Sequence, residues 1–170
     1  MSIPPTSTLQ TLPDEEIQRV LGLLFEPSPA LASLLLPQIR STQLSTYSDL
    51  ANLARSSLQA LPPDSPVLLE ILSAHPRLGA KKVDSAQSQS EQNSLGSEAE
   101  RAQLQKLNDE YEATFPGLRY VVFVNGRSRE IIMEDMRERI KNGTRVGEIR
   151  IASQAMCEIA IDRASKLGAK

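Results

Sequence analysis

The chain has 170 residues, of which 40% are hydrophobic and 24% charged, with a formal net charge of -2 at pH 7. That length suits one domain able to bury a core of its own, and the balance is ordinary for a globular protein. The near-neutral charge, 4% aromatic content and lack of Trp speak against nucleic acid as a partner, no apolar run reaches the length of a membrane span, and the single cysteine, Cys157, cannot form an intramolecular disulfide and fits a reducing compartment.

Residues 1–12, rich in Pro, Ser and Thr, read as a flexible N-terminal arm, leaving 13–168 as the domain. A first helix starts near Pro13, with Asp14, Glu15 and Glu16 at its positive end and Ile17, Val20, Leu21 and Leu24 at helical spacing; Pro27 stops it. Ser28 caps a second helix carrying Leu31, Leu34, Leu35 and Ile39, and a third runs from about Tyr47 to Leu61 before Pro62 and Pro63. Ser65 caps a fourth, with Pro66 at its first position and Val67, Leu68, Ile71 and Leu72 on its buried side; Pro76 closes it just after His75.

Residues 79–96 are rich in Ser, Gln, Asn and Gly, a composition that inside a compact domain points to a functional or mobile stretch. Ser97 and Glu100 then form a capping-box pattern for a helix reaching about Phe115. Tyr120, Val121, Val122, Phe123 and Val124 make one short extended segment. Ser128 caps a helix ended by Asn142 and Gly143, and Thr144 caps the last, which carries Ile149, Ala152, Met156, Ile159 and Arg163. The sum is an all-α, single-domain helical bundle of about seven or eight helices with one extended segment and no internal repeat.

Three places carry candidate chemistry. His75 is the only histidine; a helix-end histidine is commonly without a role, but this one adjoins the polar stretch, and the helix C-terminus favours its protonated ring. Ser88, Glu91 and Gln92 in SQSEQ read in isolation as a solvated loop; chemically they offer a carboxylate, an amide and a hydroxyl suited to a ring bearing N–H and C=O groups. By periodicity Arg163 snorkels or pairs with Glu158 or Asp162; the functional reading turns its charge toward an anionic substrate. Cys157 reads as core filler, because no second histidine is there to activate it. One His and one Cys are too few for a transition-metal site, and none is expected.

HPRLG (75–79), SQSEQ (88–92), YVVFVNG (120–126), ERIKN (138–142) and the late Arg163 occur in this order over nearly the whole chain. In this the sequence resembles the 2-oxo-4-hydroxy-4-carboxy-5-ureidoimidazoline (OHCU) decarboxylases of urate breakdown. The resemblance implies an all-helical homodimer that converts OHCU to (S)-allantoin without a cofactor. It implies His75 and Glu91 as the catalytic pair, and Pro76, Ser88, Gln92, Tyr120 to Val124 and Arg163 as substrate-binding positions. Arg77 stands where many members have Asp, and Asn125 where animal members tend to have Arg. Beside this reading stand two others: a helical interaction module whose site has drifted, and a decarboxylase or lyase for a related ureido acid. Ser165-Lys166-Leu167 spell a peroxisomal tripeptide but three residues follow it, so the expected location is cytoplasmic, with no membrane and no nucleic-acid partner.

Overall fold

The computed structural model describes residues 2–80, 86–87 and 97–168. A short 3-10 helix (Thr6–Thr11) precedes α1 (Asp14–Phe25), α2 (Pro29–Ser41), α3 (Tyr47–Gln59), α4 (Pro66–Ser73), α5 (Glu98–Thr114), α6 (Arg129–Asn142) and α7 (Arg145–Lys166). The expected all-α single domain is what the chain forms, with no strand among the described residues.

Most helices begin where a side chain takes up an amide that the first turn leaves unpaired. Ser28 accepts from Leu31 N–H at 3.2 Å, Ser65 from Leu68, Ser128 from Ile131 and Thr144 from Gly147. Full capping boxes open α3 (Thr46 with Asp49) and α5 (Ser97 with Glu100). In α5 the Glu100 carboxylate accepts from Ser97 N–H at 2.7 Å, and this bond holds its pKa below the usual carboxylate value. The stops also follow the sequence: α1 ends ahead of Pro27, and α5 ahead of Pro116. Pro37, by contrast, sits inside α2, where it bonds nothing at its nitrogen yet leaves the helix continuous.

The last helix organises the core. α7 packs chiefly against α3 and then α1, while α2 touches α1, α3, α4 and the 3-10 helix, and α5 pairs with α6. Eleven residues of α7 are buried, among them Ile149, Ala152, Met156, Ile159 and Arg163. Cys157 is buried with its thiol toward the Ala51 carbonyl at 3.0 Å, and burial pushes its pKa up to about 11. That thiol is core filler in contact with α3, as the sequence suggests.

The N-terminal arm departs from expectation. Leu9 and Ile3 enter the core, Tyr47 Oη donates to the Pro4 carbonyl at 2.7 Å, Thr6 Oγ1 to the Ser45 carbonyl at 2.9 Å, and Gln10 to the Thr42 carbonyl at 2.8 Å. Full burial of Leu9 contributes roughly 2 kcal/mol, which outweighs the polar composition that made this segment read as a loose arm. No single helix among the described residues is long and apolar enough to cross a membrane.

Candidate active site

His75 lies just beyond α4, two residues past its last helical residue, where Pro76 prevents the helix from continuing. Its backbone is fixed by Arg119, whose Nη1 donates to the carbonyls of Ser73 (2.7 Å) and His75 (3.2 Å). The ring is buried, 5% exposed, and neither Nδ1 nor Nε2 has a hydrogen-bond partner among the described residues. An imidazole buried in this way costs free energy, about 1–3 kcal/mol, so it is either a defect of packing or a group held for a ligand.

Arg163 comes to the same place from α7. It does not snorkel, and it pairs with neither Glu158 nor Asp162: Glu158 accepts from Gln154, and Asp162 pairs with Lys166 at 2.6 Å. Its Nη2 stands 2.7 Å from Glu26 Oε1, with both side chains almost fully buried, and its Nη1 donates to the Leu24 carbonyl at 3.4 Å. The guanidinium therefore seats on the C-terminal end of α1, the negative end of that helix dipole.

Glu26 is a site residue that sequence reading missed. It follows α1 with φ 75° and ψ 151°, a region essentially reserved for glycine and costing a longer residue about 1–3 kcal/mol. In the sequence it is only an acid between Phe25 and Pro27 at a helix end, with the look of a solvated side chain. Its single visible peculiarity is an acidic residue at the end of an apolar helix, where the dipole disfavours a negative charge.

Burial and these two charged groups act on the protonation of His75. Burial pushes the imidazole pKa down, the Arg163 charge pushes it the same way, and Glu26 pulls against them; the result is about 4. The ring is neutral at neutral pH. This corrects the expectation of a protonated ring: desolvation and a nearby guanidinium outweigh the pull of the α4 C-terminus.

The flanks of the site are built from ordinary contacts. Arg77 forks onto Glu112 (2.8 and 2.5 Å) and reaches Asp109 (3.0 Å), both on α5. It ties the turn after His75–Pro76 to that helix, which explains a basic residue at this position. Tyr120 to Val124, expected as one extended segment, lie in neither helix nor strand. Tyr120 is buried with its hydroxyl on Asp135, the Val121 carbonyl accepts from Arg139, and the Phe123 and Val124 carbonyls accept from Arg127. Val122, Phe123 and Val124 are half-buried. Asn125 (φ 46°) and Gly126 (φ 72°) then turn the chain, closed by Arg127 N–H on the Val124 carbonyl at 3.0 Å. Two successive positive φ values suit Asn-Gly, so the Asn at 125 is accounted for by the backbone.

His75 and Arg163 are thus brought together with Glu26; Pro76 borders them in sequence. Ser88, Glu91 and Gln92 lie outside the described residues. An open cavity of about 450 Å³ touches Val121, Val122 and Phe123 together with Arg139, Arg150 and Gln154, but neither His75 nor Arg163 lines it. It shares the extended segment with the site and not the imidazole, so the three-residue cluster, not that cavity, is the candidate centre.

Known proteins share this chain's sequence pattern and fold. The model of the OHCU decarboxylase family matches residues 10–165. A crystal structure of OHCU decarboxylase in the presence of (S)-allantoin superposes with a TM-score of 0.64 at 21% identity, covering 92% of this chain and 98% of that one. A crystal structure of (S)-allantoin synthase gives 0.65 at 23% identity and covers 96% of this chain. This chain spans only 54% of the length of that second protein. At these identities the two structures establish a shared fold. The search of curated proteins found no match. With a family match over nearly its entire length, the chain belongs to the OHCU decarboxylase family.

Proposed function

We propose that this protein decarboxylates 2-oxo-4-hydroxy-4-carboxy-5-ureidoimidazoline to (S)-allantoin in urate catabolism, acting as a carboxy-lyase without a cofactor. The observation that carries this reading is the buried, neutral His75, both ring nitrogens lacking a partner among the described residues, beside the Arg163–Glu26 pair in a chain of this family.

The substrate carries a carboxylate and a hydroxyl on one ring carbon next to a C=N bond. When the carbon–carboxylate bond breaks, its electron pair forms a ring C=C bond, and the C=N π pair moves onto nitrogen, which takes a proton from solvent. The substrate supplies its own electron sink. A neutral imidazole suits the next step. It takes the hydroxyl proton as the C–O bond becomes a carbonyl, and the imidazolium returns that proton to the adjacent ring carbon. Proton return from one face produces one enantiomer. The protein's task is orientation, charge placement and a positioned base.

In this reading His75 and Glu91 hold the substrate hydroxyl and His75 moves the proton. Arg163, Ser88 and Gln92 hold the ring and ureido group, with Pro76 at the edge. The backbone of Tyr120 to Val124 contributes amides, and no acceptor meets those of Val122 or Val124 among the described residues. The enzyme is further proposed to be a cytoplasmic homodimer.

The test is direct. OHCU is generated in situ from urate with the two upstream enzymes, this protein is added, and the circular dichroism of the allantoin is followed. Faster OHCU decay with growth of the (S)-allantoin signal is expected. Unchanged decay with racemic product would overturn the assignment and favour a drifted, non-catalytic module. Turnover of a related ureido acid in place of OHCU would reassign the substrate.

A further inference from the structure

Glu26 does something at this site that stability alone does not explain. A residue at φ 75° and ψ 151° would be glycine if only the turn after α1 mattered. The chain instead places there a long acidic side chain, buries it to 4% exposure, and sets its carboxylate 2.7 Å from Arg163 Nη2. Arg163 Nη1 reaches the Leu24 carbonyl one turn-end away. Among the described residues, the guanidinium is held from the end of α1 by these two contacts. An arginine side chain has many rotamers, and the contacts restrict them.

We propose that Glu26 is a positioning residue of the reaction: its carboxylate fixes the Arg163 guanidinium against the end of α1 and balances its charge beside the His75 ring. This rests on the decarboxylase reading for its kinetic consequence, but the geometric part does not. Among the described residues, the charged groups that act on His75 come from two elements: Arg163 from α7, which lowers its proton affinity, and Glu26 from the end of α1, which raises it. Arg119, from the segment after α5, meets His75 at its carbonyl and also holds the Ser73 carbonyl.

The experiment uses the full chain and three variants. Glu26→Gln keeps the shape and loses the charge. Glu26→Gly loses the side chain but accepts the backbone angles without strain. Glu26→Asp keeps the charge on a shorter arm. With OHCU formed in situ, Glu26→Gln and Glu26→Gly are expected to lose about 10²-fold in kcat/KM, the scale on which a misplaced binding group acts, and Glu26→Asp to recover at least about tenfold of it. Wild-type kinetics in Glu26→Gly, with or without a changed thermal midpoint, would overturn the proposal and leave Glu26 a structural residue.

A second measurement needs no turnover. His75 is the only histidine, so its NMR signal is unambiguous. Arg163→Met is expected to raise its proton affinity at least tenfold, and adding Glu26→Gln to that variant to reverse the gain. This neutral pair also keeps the measurement alive if Glu26→Gln alone does not fold. Identical titration of Arg163→Met and the double variant would remove Glu26 from the site. Should the wild type show no OHCU turnover while this titration behaves as expected, the decarboxylase reading fails and the charge coupling stands.

Discussion

Helix α7 carries or contacts two buried Arg–Glu pairs, and they are built differently. Near its start, Glu148 accepts from Arg139 Nε at 2.8 Å and from the Tyr111 hydroxyl at 2.7 Å, while Arg139 Nη1 donates to the Val121 carbonyl and its guanidinium lies 4.5 Å from the Tyr120 ring centre. Burial works against the Arg139 charge, but the Glu148 hydrogen bond and charge outweigh it and its pKa is raised. Near its end, Arg163 meets Glu26 on a strained backbone, beside an imidazole whose nitrogens have no hydrogen-bond partner among the described residues. The first pair spends its bonds joining α5, α6, α7 and the extended segment. Among the described residues both leave a buried polar atom without a hydrogen bond, Glu148 Oε1 at the first and the His75 ring nitrogens beside the second. The second adds a strained backbone at Glu26 and a titratable base, the pattern of a site held ready for a ligand. A buried ion pair is thus not informative alone; the state of the groups around it separates scaffold from chemistry.

The largest expected effect lies at the second pair. His75→Ala should lose about 10²–10⁴-fold in kcat while its far-UV circular dichroism and thermal transition stay near wild type. Wild-type turnover in that variant would erase the distinction between the two regions.

At the first pair the effect should appear in stability. Glu148→Gln leaves a buried guanidinium short of its counter-charge and should cost about 3–5 kcal/mol, read from urea unfolding, with the folded fraction still turning over. A loss of turnover without destabilisation would move this pair into the site.

Acid sharpens the contrast further. The folded pKa of His75, about 4, lies below its ordinary value of 6.5, so between these the unfolded chain holds more protons there than the folded one. Stability should therefore fall as pH drops from 6.5 through about 4, by on the order of 3 kcal/mol. His75→Gln should flatten that part of the curve. On the same grounds kcat/KM should hold at neutral pH and fall as the base protonates near pH 4. An activity limb near pH 6.5 would show a solvated imidazole instead.

The smallest effect is expected at the turn beyond the extended segment. Asn125→Ala places an alanine at φ 46° and should cost about 1 kcal/mol, whereas Asn125→Gly should be tolerated. A large loss of activity in Asn125→Gly would show that the side chain, and not the turn, matters to the pocket.

Much of this was legible in the residues. Ser28, Ser65, Ser97, Ser128 and Thr144 mark helix starts because a side-chain oxygen reaches an amide three residues on, a relation that chain order alone specifies. His75 and Arg163 could be picked out by residue type and by resemblance. Glu26 could not, since its importance comes from a residue at the far end of the chain. The arm was misread for a similar reason: the polar composition of residues 1–12 is local, and the slot that takes Leu9 is not.

The order of residues determined where helices start and stop, since caps and prolines act over three or four positions of backbone. Only the tertiary structure decided that Arg163 meets Glu26 and that His75 is neutral, because Coulomb interaction and desolvation depend on distance through space and on how much water the packing leaves behind.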